Sequence, residues 1–299
     1  MDIDIFSFPG GAWFRYLFAL MISTLRAPRV KQRYQQLGGI SPLLEYTQKQ
    51  AACLEQVLVE KGLDISVEVG MSYSRPFVSD AVRELVNKEV REIIALPLYP
   101  QYSASTTGSS FKVLKTAIEK AAPDMAWRKV SSWCDHPGYH DVLAKRISDC
   151  INPNDDNRQG LGLLFLAHSL PVKFVQKGDP YVDHVMITLK GVLEALKKRG
   201  TPDLPWFLGY QSRVGPVKWV GPTVRESMND MRSRGLQQVV VVPISFVSDH
   251  LETLYEIDLQ YKSLGLELGF QRFERIASLN DSEDFIRVLA DLVMREVGR

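Results

Sequence analysis

One histidine stands out by its setting. His168 closes the apolar run Gly162–Ala167 and is followed by Ser169-Leu170-Pro171. An imidazole at the end of a buried strand can accept a proton or ligate a metal near neutral pH. A lone histidine is more often structural, so its neighbours decide its meaning. A second apolar run, Gln238–Ile244, leads into Ser248-Asp249-His250-Leu251-Glu252, and Glu252, Glu256 and Gln260 follow one another at a spacing of four. That spacing lines one helix face over two turns. Stacked carboxylates repel unless a cation, a proton or water relieves them. A cation path is one reading and a solvated face is the other.

Two further strand ends carry polar chemistry. The run Glu92–Leu98 opens into Tyr99-Pro100-Gln101-Tyr102-Ser103-Ala104-Ser105-Thr106-Thr107, a hydroxyl-rich loop before a helix. Hydroxyls and the N–H groups of a helix N-terminus can hold a carboxylate or phosphate. No glycine-rich nucleotide fingerprint accompanies the loop, which disfavours a nucleotide. The segment Tyr210-Gln211-Ser212-Arg213, with Trp219 beyond it, suits a flat anionic ligand. His136, His140 and His184 have no acidic or cysteine partners at metal-ligand spacing and read as surface or structural residues.

These residues need a scaffold of strands and helices. Strands are expected at Ile65–Met71, Glu92–Leu98, Trp127–Ser132, Gly162–Ala167, Trp206–Tyr210, Gln238–Ile244 and Phe270–Ile276. Several are near-continuous apolar runs, as parallel strands covered on both faces require. Helices separate them. One is opened by Ser41-Pro42 and closed by Gly62, and the others fall at Pro76–Val90, Ser109–Ala121, Gly138–Ile151, Pro180–Lys198, Pro222–Arg234, Leu251–Leu264 and Ser282–Val297. The alternation predicts two doubly wound α/β domains, 1–151 and 152–281, joined by the polar segment Asn152–Gly160. The first half supplies three strands and the second four. An opening strand is therefore expected to be missing from the first half, through an upstream start or a shortened form.

The 299 residues carry 36 Lys+Arg against 35 Asp+Glu, a net charge of +1. That leaves no global electrostatic case for nucleic acid. Cys53, Cys134 and Cys150 form no C-x-x-C pair, and none lies beyond position 150. The odd number argues against a disulfide framework, a C-terminal iron–sulfur cluster is excluded on ligand count, and a reducing, cytoplasmic setting is expected. The uncharged run between Arg15 and Arg26 is ten residues long, against about 20 for a bilayer span. It reads as a core helix or as an interfacial lip over 13–25 that touches a membrane peripherally.

The strings LPLYPQYSASTTGS, AHSLP followed by GDPY, YQSRVGPVKW and PISFVSDHLETLYEID resemble the ferrochelatase family. RYQQLGGISPL (Arg33–Leu43) and FPGGAW (Phe8–Trp13) are similar to it too. The resemblance runs over nearly the whole chain. It implies two Rossmann-like domains with parallel sheets and a porphyrin cleft between them, as in class II chelatases, and a final helix, 282–299, that packs back on the first domain. It implies insertion of Fe2+ into a porphyrin with release of two protons, iron being a substrate and no cofactor permanently bound. By motif position His168 and Glu252 are the catalytic pair, and His168, Glu252 and Glu256 meet the metal. The family's helix at Glu256 carries a π distortion. Arg33, Tyr34, Ser41, Tyr99 and Thr107 fall at porphyrin contacts. Gln260 stands where some relatives place a third carboxylate, and the family's usual first strand is missing. The apolar N-terminal segment favours protoporphyrin IX over coproporphyrin; the alternative reading is a porphyrin- or haem-binding protein without turnover.

Overall fold

The computed structural model describes residues 33–36, 38–151, 159–213 and 215–298. The expected lip over 13–25 and most of the expected linker lie outside the described residues. In the first half the chain runs α1 (Leu43–Glu60), α2 (Val78–Asn87), β1 (Glu92–Ala95), α3 (Thr107–Ala121), β2 (Ala126–Lys129) and α4 (Pro137–Ile151). Next come β3 (Leu161–His168), α5 (Val172–Gln176), α6 (Tyr181–Lys198), β4 (Trp206–Gln211), α7 (Val224–Ser233) and β5 (Gln238–Pro243). A π-helix (Glu252–Tyr261), α8 (Lys262–Glu267), β6 (Arg272–Arg275) and α9 (Glu283–Val297) close the chain.

Among the described residues every strand ladder is parallel. β1 pairs with β2, with Glu92 opposite Ala126. The larger sheet has the order β4-β3-β5-β6. Alternation along its central strands follows the two-residue period of a pleated strand. Leu163, Phe165 and Ala167 of β3, with Val240 and Val242 of β5, join a core shared with α4, α6 and α9. Leu164 and Leu166, with Val239 and Val241, face Met228 and Met231 of α7, Ile257 of the π-helix and Leu264 of α8. Both faces are covered, which is why these strands read as unbroken apolar runs. α7 starts on a reciprocal cap: Glu226 N–H donates to Thr223 Oγ1 at 3.1 Å, and Thr223 N–H donates to Glu226 Oε2 at 2.6 Å. α9 packs on α1 and α4, burying a stripe that includes Phe285, Leu289 and Val293.

One expected strand is corrected. Ile65–Met71 is described, but it forms no ladder with β1 or with any other strand among the described residues. Val67 N–H donates to the Glu55 carboxylate at 2.6 Å, and Met71 makes an isolated bridge to Phe77. Apolar composition is not sufficient for a strand; a neighbour must take up the backbone hydrogen bonds. The expected helix Leu251–Leu264 is also altered, being π-helical for ten residues before it becomes α8.

Candidate active site

The sheet order places a site before any side chain is considered. From β3 the chain crosses outward to β4, then returns to the other side of β3 as β5. The order reverses between β3 and β5, and ligands of open parallel sheets bind beyond the carboxyl ends of strands at such a switch point. His168 is the last residue of β3, and residues 244–252 leave the end of β5. His168 shares the face of Leu164 and Leu166, the face that packs on the π-helix.

Pleat and helix therefore bring His168 Nδ1 to 2.9 Å from Glu252 Oε2. If Nδ1–H donates to this carboxylate, the Nε2 lone pair remains to take a proton or meet a ligand. The imidazole is 41% exposed. Behind it, the Tyr181 hydroxyl donates to the His168 carbonyl at 2.9 Å. Burial pulls the His168 pKa down, but the charge and hydrogen bond of Glu252 outweigh it, and the net shift is upward. Burial pushes Glu252 up, yet His168 and the Ser212 hydroxyl hold it well below the usual carboxylate range. Protonation of His168 therefore turns this contact into an ion pair with Glu252.

Glu256 lies one turn further on. Burial and the neighbouring Glu252 charge raise its pKa, although Ser212 opposes them. Ser212 Oγ is 2.8 Å from Glu252 Oε2 and 2.7 Å from Glu256 Oε2. A hydroxyl has one proton to donate. Serving both acceptors at once requires a proton on one carboxylate. Ser212 has φ of +62°, a left-handed conformation uncommon for a residue with a Cβ. Gln211 supports the same corner, its Nε2 lying 3.3 Å from the Glu252 carbonyl and 3.4 Å from Glu256 Oε2.

The remaining expected residues divide. The Arg33 guanidinium stands over the Tyr255 ring at 5.3 Å, on the π-helix beside Glu256. Tyr34 and Ser41 are half-buried; Ser41 Oγ accepts the Leu43 N–H at 3.3 Å, but the N-cap position of α1 falls to Pro42 and not to the expected Ser41. Tyr99 is 41% exposed. Thr107 is fully buried, with its hydroxyl unpartnered. Gln260 is exposed. Among the described residues no three His, Cys, Asp or Glu side chains form a ready ligand set for a metal ion.

The hydroxyl-rich loop is tied to the second half. Asp179, in the turn before α6, accepts from Ser103 Oγ at 2.9 Å, Ala104 N at 2.8 Å and Tyr181 N at 3.0 Å. Gln101 Nε2 donates to Thr188 Oγ1 and to the Ile244 carbonyl. His184 Nδ1 accepts the Tyr102 N–H at 3.2 Å. His136 and His140 are buried structural residues, His136 against Asp291 and His140 against the Cys134 carbonyl, each at 2.7 Å. Arg213, expected to meet an anionic ligand, donates to the Val220 carbonyl at 3.0 Å. Sequence reasoning missed Ser212 and Gln211 as carboxylate partners, because a left-handed backbone at Ser212 leaves no residue-type signal.

A family model described as Ferrochelatase matches residues 1–297. The chain is 40% identical over 283 residues to a ferrochelatase of Gloeobacter violaceus, covering 94% of this chain and 85% of that one. It is 39% identical over 297 residues to one of Aquifex aeolicus, covering 99% and 91%. Among solved structures, SirB from Bacillus subtilis with Fe3+ superposes with a TM-score of 0.55 at 14% identity, over 83% of this chain and 88% of that one. The sirohydrochlorin chelatase SirB from a Bacillus subtilis subspecies, in complex with cobalt, gives 0.54 at 12% identity, over 84% and 88%. These two likenesses establish the fold, an α/β chelatase architecture.

Proposed function

The chain belongs to the ferrochelatase family, and on that premise we propose that it inserts Fe2+ into protoporphyrin IX, releasing two protons. The carrying observation is the His168–Glu252 contact of 2.9 Å at the sheet's switch point. Insertion requires the two pyrrole N–H protons to leave as the metal enters. His168 Nε2 takes one of them, and Glu252 stabilises the imidazolium that results. A carboxylate beside imidazole raises its basicity and fixes its tautomer. Glu256, a carboxylate whose pKa is raised by burial and by the Glu252 charge, accepts the second proton. Imidazole and carboxylate both suit ferrous iron in transit, so His168, Glu252 and Glu256 are the residues the metal passes.

Arg33, Tyr34, Ser41, Tyr99 and Thr107 are assigned to the porphyrin. Arg33 has direct support from its position over the π-helix. Thr107 acts from a buried position, at the start of α3. Residues 1–151 and 152–281 form the two walls of the cleft. The protein works in the cytoplasm, with 13–25 as a peripheral membrane contact. No helix among the described residues is long and apolar enough to cross a membrane.

The test mixes protein, protoporphyrin IX and Fe2+ or Zn2+ without oxygen and follows the porphyrin absorbance bands. Turnover that His168→Ala abolishes supports the assignment. Porphyrin binding without insertion supports a carrier instead.

A further inference from the structure

The π-helix poses a physical problem. Such helices are rare and usually last one turn, yet this one runs for ten residues. A disfavoured backbone persists only where its surroundings over-determine it. Arg275, at the end of β6, provides that constraint. Its side chain is 9% exposed. Nε and Nη2 donate to Asp258 Oδ1 and Oδ2, both at 2.8 Å, a two-pronged match to a carboxylate. Nη2 also lies 3.1 Å from Asp249 Oδ1. Nη1 donates to Ser278 Oγ at 2.8 Å.

The two carboxylates bracket the site. Asp249 stands three residues before Glu252, and Asp258 stands two after Glu256. Asp249 is held further by Ser278 Oγ at 2.7 Å and Asn280 Nδ2 at 3.0 Å. It accepts the Thr253 hydroxyl at 3.1 Å. One guanidinium therefore grips the helix on both sides of its acidic residues. β6 is itself fixed in the sheet, with Arg275 opposite Val241.

We propose that Arg275 is a positioning residue that locks the π-helix in register, so that Glu252 reaches His168 and converges with Glu256 on Ser212. The inference rests on the ferrochelatase reading for its kinetic readout. Without the clamp the segment relaxes toward an ordinary α-helix; residues four apart still share a face, but the turn shifts register against His168 and Ser212, and the two carboxylates lose their contacts with them. The metal path is then disturbed while the porphyrin walls stay in place.

The test uses Arg275→Gln and Arg275→Lys, with Arg272→Gln on the same strand as control. Zn2+ and protoporphyrin IX are the probes. In Arg275→Gln the KM for Zn2+ rises about tenfold or more, while porphyrin affinity, read by fluorescence quenching, stays within about twofold. Lysine restores part of the loss, because an ammonium reaches one carboxylate but cannot match a fork. Hydrogen exchange over 252–261 accelerates about tenfold or more, and exchange in β3–β5 does not change. An unchanged metal KM in a folded variant overturns the proposal. So does a porphyrin affinity that falls in step, or exchange that rises evenly over the chain. Should Arg275→Gln fail to fold, Asp258→Asn removes the fork at nearly constant volume and is read the same way. Wild-type protein without turnover would sink the ferrochelatase reading, and the exchange pattern would still decide the clamp.

Discussion

Replacing Asp179 by alanine tests whether the hydroxyl-rich loop is held in place by the second half of the chain. The carboxylate accepts three hydrogen bonds, from Ser103 Oγ, Ala104 N and Tyr181 N. A hydrogen bond to a charged group contributes about 1.5–3 kcal/mol, but three such values do not add here. Ala104 is exposed, so its freed N–H finds water. The Ser103 hydroxyl can turn to Ser105 Oγ, 2.9 Å away. The Tyr181 N–H is in the first turn of α6, where backbone donors have no partner within the helix. The expected loss is therefore that of one charged bond, about 1.5–3 kcal/mol. Urea unfolding reads it as a lower midpoint with an unchanged slope, because the surface exposed on unfolding is the same. A double-mutant cycle with Ser103→Ala should return a coupling of about 0.5 kcal/mol or more. Porphyrin affinity should fall too, since residues 99–107 loosen. An unchanged midpoint together with zero coupling would refute the reasoning.

Other outcomes follow from the same geometry. Glu252→Gln should lower insertion by about a hundredfold or more, measured as initial rate, because the imidazolium loses its counter-charge. The pair also sets a pH dependence. His168 is raised, so its contribution is complete below the unfolded histidine pKa and is lost as pH rises through the folded value. Glu252 is lowered, so its contribution is complete above the unfolded carboxyl pKa and is lost as pH falls through the folded value. The melting-temperature gap between wild type and Glu252→Gln should peak between these limits; a flat gap counts against the pair. Gly191→Ala should cost about 3 kcal/mol in thermal or urea unfolding, since its Cβ would fall on the His140 ring packed between α4 and α6.

Much of the fold was legible because it depends on local pattern. β3 and β5 are unbroken apolar runs because both their faces are covered. Gly62, with φ of +78°, closes the first helix as its residue type predicts. Ile65–Met71 was misread for the converse reason. Its composition favours a strand, but pairing is a property of what lies beside it. Length and composition could not register that.

The site divides in the same way. His168, Glu252 and Glu256 were visible in the sequence as chemistry-bearing types at strand ends and helical spacing. Their meeting was not, since His168 and Glu252 are 84 residues apart. It took the reversal of strand order between β3 and β5, and the two-residue pleat that turns His168 toward the π-helix. Ser212 entered through a backbone angle and Arg275 through a pairing with Asp249 and Asp258. The sequence alone determined which groups could accept a proton or meet a metal. Only the tertiary structure decided which of them share a hydrogen bond, because hydrogen bonds act over about 3 Å and chain distance carries no information at that scale.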